Sequence, residues 1–180
     1  MILVGLYTGL RLSDVSTLTW ANVDLANAEL QLATRKTGRR MMLPLAKPLL
    51  RHLESLPAGD VADAPLFPEA FAARERSQYG GTLSNQLYQI LVSAGLAKAR
   101  PHTSQDKGRD SKRELGGLSF HCLRHTATSL LKNAGVSDAI ARDIIGHDSA
   151  AVSANYTHID MDAKRTAVGK LPDVFGESTL

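Results

Sequence analysis

FHCLRHTATSLLKNA, residues 120–134, carries the clearest helical pattern in the chain. Its apolar residues recur at intervals of three and four, which predicts a helix with one stripe packed against a core. That stripe consists of Leu123, Ala127, Leu130 and Ala134. Residues three and four positions apart share a helix face, so we expect His121 and Arg124 on the opposite side, presented together to solvent or to a ligand.

The residues at the start of the chain predict two short helices. The apolar opening to Tyr7 indicates the end of a helix that is broken at Thr8-Gly9. Ser13 is expected to cap the next helix, because a hydroxyl at that position can accept from the first backbone amides. This second helix would turn Val15 and Leu18 towards the core.

A β-hairpin is predicted next. Two short segments, residues 29–33 and 41–45, surround the turn sequence Lys-Thr-Gly-Arg. Pro48 then suits the first turn of a helix that runs through Leu56. Residues 57–81 contain Pro, Gly, Ala and scattered charges, and are interpreted as irregular.

The second half of the chain is predicted to be mostly helical. We expect a helix over residues 83–94 that Gly95 ends, a mobile polar loop over 98–117, a helix between the cap Ser137 and Gly146, and a helix over 150–158. The predicted fold class is therefore α+β and mostly α, with a small antiparallel β-sheet.

Length and composition indicate one ordinary globular domain. The chain has 180 residues, of which 43% are hydrophobic and 22% charged, enough to bury a core. No apolar run reaches membrane length, and the apolar start lacks the basic region of a signal peptide. The single Cys122 cannot form an intrachain disulfide, which favours a reducing cytoplasm.

Clustered basic residues favour a polyanionic partner such as DNA. The formal charge is only +3, but the pI is about 9.1. Arg35, Lys36, Arg39 and Arg40 form a run with no acid inside it. Phosphates attract such clusters whatever the base sequence. A solvated basic face would have the same composition, and charge alone does not distinguish the two.

A set of six residues suits chemistry on a phosphodiester. Two guanidinium groups can share the charge of a phosphoryl-transfer transition state, as a metal ion does elsewhere. A phenol can attack phosphorus if a neighbouring imidazole helps to remove its proton, and a lysine on a flexible turn can protonate the leaving oxygen. The candidates are Arg11, Lys36, His121, Arg124, His147 and Tyr156.

Four motifs in this order resemble those of the tyrosine recombinase (phage integrase) family. Thr8-Gly9-Leu10-Arg11-Leu12-Ser13-Asp14-Val15 is similar to the first-arginine box of the family. Residues 34–38, Thr-Arg-Lys-Thr-Gly, resemble its catalytic-lysine hairpin, and residues 121–126 resemble its histidine–arginine box. Gly146-His147 and Tyr156, with eight residues between His147 and the tyrosine, resemble its nucleophile box.

The resemblance implies a role for each residue. Tyr156 would attack DNA and form a 3′-phosphotyrosine link, which frees a 5′-hydroxyl. Arg11 and Arg124 would hold the nonbridging oxygens, His121 would assist proton transfer and His147 would contact the phosphate. Lys36 would protonate the leaving oxygen. Asp14 would brace the site, with Arg35, Arg39 and Arg40 as expected DNA-binding residues. No metal or other cofactor is implied.

The resemblance also implies a domain organisation and a set of partners. Residues 1–180 would be the catalytic domain, with a tail over 160–180 and without the core-binding domain that usually precedes it. The expected partners are double-stranded DNA, accessory DNA-bending proteins and other protomers of the same protein. We expect a monomer in isolation and a tetramer on DNA, in the cytoplasm and at the nucleoid.

Several alternatives stay open at this point. A helix-turn-helix between Thr126 and Ile145 would make the chain a non-enzymatic DNA-binding module. Type IB topoisomerases share the tyrosine chemistry, and an inactive integrase fragment would share the fold. His121 and His125 also have the spacing of metal ligands around Cys122, although no carboxylate or second cysteine nearby completes such a site.

Overall fold

A computed structural model of the protein describes residues 1–57, 61–76, 81–99, 118–146 and 161–174. In these ranges the α-helices are α1 Ile2–Thr8, α2 Leu12–Val15, α3 Lys47–Glu54, α4 Pro68–Arg76, α5 Gly81–Ser93, α6 Phe120–Asn133, α7 Asp138–Ile145 and α8 Met161–Gly169. The strands are β1 Val23–Asp24, β2 Glu29–Ala33 and β3 Arg40–Pro44, and a 3₁₀ turn spans Trp20–Asn22. The predicted class, mostly α with a small antiparallel sheet, is confirmed.

The predicted hairpin forms the larger part of the sheet. β2 and β3 pair antiparallel, with Leu30 opposite Leu43, and β1 adds a short third strand beside β2. Leu30 and Leu43 are buried, so one face of the hairpin packs on the core. Gly38 adopts a φ of +68°, which the turn between the strands requires and which glycine adopts without strain.

The central helix α6 buries a wider face than the predicted stripe. All four residues of that stripe pack on the main core, with Ala127 buried and Leu123, Leu130 and Ala134 half-buried. The face also includes a buried row that was not expected, Phe120, Arg124 and Leu131. Phe120 packs against α1, where a Cβ on Gly5 would lie 2.6 Å from its ring. Arg124 is buried because backbone oxygens of other segments surround its guanidinium.

Four short-range predictions concern the ends of helices, and three of them are confirmed. Gly9 and Gly146 end α1 and α7 in the left-handed conformation, and the Ser137 hydroxyl accepts from the Ile140 amide. These helix ends are confirmed. The cap of α2 is Arg11 rather than Ser13, so that prediction is wrong by two residues.

Residues 57–81 are not wholly irregular, because α4 lies within them. Its buried residues are the alanines Ala70 and Ala73, which pack with Leu83 of α5 in a small second cluster. Alanines give a weak apolar signal, and for this reason the helix was not predicted from the pattern. α5 itself was predicted, with Gly95 beyond its end at a φ of +71°.

The C-terminal tail packs against the same chain. Ala167, Val168 and Leu171 are buried in the main core. The Tyr7 hydroxyl donates to the Pro172 carbonyl at 2.9 Å and accepts from the Val174 amide at 3.3 Å. The tail therefore closes the bundle beside α1 and β3.

Two predicted segments lie outside the described residues. They are most of the polar loop over 98–117 and the helix over 150–158. Among the helices that the structure describes, none is long and apolar enough to cross a membrane.

Candidate active site

The guanidinium of Arg124 joins three distant parts of the chain. From α6, its Nη1 donates to the Gly9 carbonyl at 2.7 Å and its Nη2 donates to the Gly146 carbonyl at 2.9 Å. Only 3% of the residue is exposed. Of the two expected environments of Arg124, solvent or a ligand, exposure to solvent is therefore excluded. Instead, two backbone carbonyls at the ends of α1 and α7 fix its orientation.

This arrangement brings the first-arginine box to the histidine–arginine box. Arg11 follows Gly9 by two residues and caps α2, where it is half-buried. The positive charges of Arg124 and Arg11 both contribute to lowering the pKa of His121. Gly146, the other partner of Arg124, directly precedes His147 in sequence.

His121 lies one helical turn before Arg124 on an exposed part of α6. Its ring meets the ring of His125 edge to face, with centroids 4.9 Å apart. Partial burial, followed by the positive charges of His125, Arg124 and Arg11, lowers the pKa of His121 below its usual value. A lowered pKa keeps the imidazole neutral at neutral pH, so it can accept a proton.

Lys36 occupies the exposed turn of the hairpin, between β2 and β3. Two backbone hydrogen bonds close the turn. The Thr34 amide donates to the Arg39 carbonyl at 2.9 Å, and the Gly38 amide donates to the Thr34 carbonyl at 2.8 Å. Arg35 and Arg40 are exposed beside it. Exposed cations on a projecting turn can reach a ligand that lies over the site.

Asp14 connects this turn to α2. Only 2% of the residue is exposed, and its Oδ1 accepts from the Arg35 backbone amide at 2.9 Å. Within the described residues, no hydrogen bond or ion pair joins the Asp14 carboxylate to the Arg11 side chain. Asp14 therefore contacts the turn of residues 34–39 that carries Lys36, the lysine turn.

Arg39 differs from its neighbours in the basic run. Its Nη2 donates to Asp143 Oδ1 at 2.7 Å, and its side chain is 20% exposed. Asp143 also pairs with Lys164 at 2.7 Å. Sequence reasoning missed this cluster, because the acid and its two basic partners lie far apart in the sequence.

The buried Asp143 also weakens the helix-turn-helix alternative. α7 would be the helix that reads bases, but Ala141, Asp143, Ile144 and Ile145 are buried. Of its polar side chains only Asp138 and Arg142 are exposed, and the first is an acid. An element of this kind offers little to the major groove.

Two of the six predicted residues, His147 and Tyr156, lie outside the described residues. Of the other four, His121 and Arg124 share α6, and the Arg124 contact with Gly9 brings the segment of Arg11 to that helix. Lys36 lies on the turn that Asp14 contacts. In the described part of the chain no three His, Cys, Asp or Glu side chains lie close enough together to share a metal ion.

Comparison with known proteins identifies the family. The sequence profile of the phage integrase family matches residues 1–163. The chain belongs to the phage integrase family. Curated relatives include the tyrosine recombinase XerC of Bifidobacterium longum, 25% identical over 91% of this chain, and the tyrosine recombinase XerS of Streptococcus equi subsp. zooepidemicus, 27% identical over 95%. The chain spans 43% and 44% of the length of these two recombinases.

Solved structures of phage integrase family members share the fold. The integrase from mycobacterium phage Brujita superimposes with a TM-score of 0.64 at 18% identity, over 96% of this chain and 50% of the integrase. The lambda integrase catalytic core gives a TM-score of 0.52 at 20% identity, over 82% of this chain and 79% of that core. At these identities the likeness concerns the fold alone.

Proposed function

We propose that this protein carries out site-specific recombination of DNA by cleaving and rejoining strands through a covalent 3′-phosphotyrosine intermediate. The observation that carries this proposal is the contact of Arg124 with the carbonyls of Gly9 and Gly146. It gathers the sequence neighbours of Arg11 and His147 around one guanidinium. Membership of the phage integrase family and the curated names of the tyrosine recombinase relatives support the same chemistry.

In the proposed reaction, a phosphoryl group of the DNA backbone is transferred from a 5′ oxygen to Tyr156. The Tyr156 oxygen forms a bond to phosphorus while the bond to the 5′ oxygen breaks. The phenolic proton passes to His121, whose lowered pKa keeps it available as a base. Lys36 gives its proton to the leaving oxygen, which becomes a 5′-hydroxyl. Attack of another 5′-hydroxyl on the phosphotyrosine reverses these steps and joins new strands.

Arg11, Arg124 and His147 would stabilise the phosphoryl group during both steps. Guanidinium forks match the equatorial oxygens of such a transition state, and fixed donors need no reorganisation when charge develops. The carbonyls of Gly9 and Gly146 accept from Arg124 and orient its guanidinium. Exposed Arg35 and Arg40 would contact the DNA backbone beside the site.

Recombination exchanges strands between two DNA duplexes, so the proposal includes further partners. We place four protomers on two DNA duplexes, with DNA-bending proteins as accessory partners and the nucleoid as the site of action. The isolated chain would be a monomer, consistent with a tail that packs in cis. Sedimentation that finds a stable tetramer without DNA would contradict the monomer.

Covalent capture of DNA tests the proposal directly. The protein is mixed with labelled, nicked duplex DNA in EDTA and run on a denaturing gel beside Tyr156→Phe. Tyr88→Phe is the matched control, because Tyr88 lies on α5 and its hydroxyl donates to the Lys98 carbonyl at 2.6 Å. We expect a detergent-resistant adduct with the parent and with Tyr88→Phe, and none with Tyr156→Phe.

Other outcomes would contradict parts of the proposal. An adduct that survives Tyr156→Phe would mean that another residue is the nucleophile. Tight but purely reversible DNA binding by the parent, with no adduct on any nicked site offered, would favour the non-enzymatic module.

A further inference from the structure

Asp143 forms a partly buried ion cluster with two basic residues. It lies in the last turn of α7, and its side chain is 7% exposed. Oδ1 accepts from Arg39 at 2.7 Å and Oδ2 accepts from Lys164 at 2.7 Å. The side chains of these two cations are 20% and 13% exposed.

The partial burial of all three groups makes the cluster a strong constraint. Surface ion pairs hold their partners loosely because water and salt screen them. A carboxylate taken out of water needs its partners in place, and removing one partner leaves an uncompensated charge. The cluster therefore fixes three segments against one another: the end of α7, the end of the lysine turn and α8.

The lysine turn is held at both of its ends by acids from elsewhere in the chain. At its start, the Arg35 amide donates to Asp14. At its end, the Arg39 side chain pairs with Asp143, and the Arg39 carbonyl accepts from the Thr34 amide to close the turn. Lys36 lies between these two anchors.

The second anchor also joins the turn to the rest of the site. Asp143 precedes Gly146, the residue that ends α7, by three positions, and the Gly146 carbonyl is a partner of Arg124. A rigid helical turn thus relates the position of Arg39 to that of the Arg124 guanidinium. The distance between Lys36 and the phosphate-binding group depends on this link.

We propose that Asp143 is a positioning residue for Lys36. Its pair with Arg39 holds the lysine turn over the site, and its pair with Lys164 makes that hold depend on the docked C-terminal helix. Arg39 then serves the site through Asp143 instead of through DNA. The inference rests on the proposed function, in which Lys36 protonates the leaving 5′ oxygen.

A sulfur-containing substrate distinguishes a misplaced Lys36 from a general loss of activity in the variant. In this substrate, sulfur replaces the 5′ oxygen that leaves the scissile phosphate. A thiolate leaves without protonation because the pKa of a thiol is far below that of an alcohol, so cleavage no longer needs Lys36. A defect that acts through Lys36 is rescued by sulfur, whereas a defect in charge stabilisation persists.

We expect Asp143→Asn to slow cleavage of the oxygen substrate by between about 10- and 100-fold, as misplacement of a catalytic group does. Asp143→Asn should cleave the sulfur substrate within about twofold of the parent rate. Lys36→Ala should behave in the same way with sulfur, although the loss of its general acid slows cleavage of the oxygen substrate by about 100-fold or more. Arg124→Ala should be slow with both substrates. Asp138→Asn is the matched control in the same helix, because its pair with Lys132 is exposed and both rates should be unchanged.

Amide hydrogen exchange measures the positioning without any DNA. In Asp143→Asn, the amides of residues 34–38 should exchange faster than in the parent and in Asp138→Asn. Unchanged exchange there, or equal loss of rate with oxygen and sulfur, would overturn the inference. If the parent cleaves neither substrate, the proposed function fails, and the exchange of these amides still decides whether Asp143 holds the turn.

Discussion

The backbone amide of Arg35 donates to the Asp14 carboxylate at 2.9 Å, across 21 positions of sequence. The acceptor lies on the short helix that Arg11 caps, and the donor belongs to the turn that carries Lys36. One hydrogen bond thus connects the two parts of the chain that supply the first arginine and the lysine. Asp14 Oδ2 is buried and has no hydrogen-bond partner among the described residues.

Asp14→Ala should destabilise the protein by about 1–3 kcal/mol, because it leaves the Arg35 amide without its acceptor in a partly buried place. Urea unfolding followed by circular dichroism measures this change. Asp14→Asn keeps an oxygen acceptor and removes a buried charge, so its loss should be smaller than that of Asp14→Ala. The exposed Asp63 offers a control, and Asp63→Ala should change the unfolding free energy by no more than about 0.5 kcal/mol.

If Asp14→Ala and Asp63→Ala unfold at the same urea concentration, the Arg35 contact contributes nothing to the fold. If Asp14→Asn is instead the more damaging variant, the carboxylate charge matters more than its acceptor atom, and the partnerless oxygen needs a cation that the described residues do not supply.

Arg124→Lys should destabilise the protein and abolish most of the proposed cleavage. One ammonium cannot reproduce a planar fork that reaches the Gly9 and Gly146 carbonyls together, so one carbonyl loses its donor at a cost of about 1–3 kcal/mol. The measurement pairs urea unfolding with the covalent adduct assay. Arg142→Lys, an exposed site on α7, is the matched control. Parental stability in Arg124→Lys would mean that the two carbonyl contacts do not orient the side chain.

His121 should titrate with a pKa below about 6.5, the value of an unperturbed histidine. Partial burial is the first cause, and the charges of His125, Arg124 and Arg11 add to it. His125→Gln removes one of these charges and should raise the midpoint. NMR titration of the imidazole protons, assigned with His121→Gln, measures both values. A parental midpoint at or above the unperturbed value would contradict the site's electrostatics.

The same shift predicts the sign of a pH effect on stability. Because the folded protein lowers the pKa of His121, the unfolded chain takes up this proton more readily. The contribution of His121 to the free energy of unfolding is therefore fully present above its pKa in the unfolded chain. It is lost as the pH falls from that value to the lower pKa in the folded protein. Unfolding at pH values from about 7.5 to 5 should show a shallower loss of stability in His121→Gln than in the parent.

Patterns confined to one segment could be predicted from the sequence. The hairpin, α5 and the glycine ends of α1 and α7 follow from alternation, helical period and the freedom of glycine at positive φ. The site residues remain a prediction, which the resemblance of four motifs to the tyrosine recombinase family implies.

Features that depend on packing between distant segments could not be predicted in this way. The helical period of α6 does not reveal that carbonyls from Gly9 and Gly146 would bury Arg124 and turn its face inward. The pairing of Asp143 with Arg39 joins residues 104 positions apart, and no local rule relates them. α4 was missed because alanines carry its buried face.

Gly9→Ala should be more destabilising than the same change at another left-handed glycine. Gly9 and Gly135 have φ of +66° and +73°, and an alanine at either pays about 1–2 kcal/mol for that conformation. At Gly9 the new Cβ would also lie 2.5 Å from Ile145 Cδ1, whereas at Gly135 nothing lies within 4 Å. The clash would move the Gly9 carbonyl from Arg124. Urea unfolding should therefore give the parent the highest stability, then Gly135→Ala, then Gly9→Ala. Equal losses of stability in the two variants would show that the Ile145 side chain moves aside without destabilising the protein.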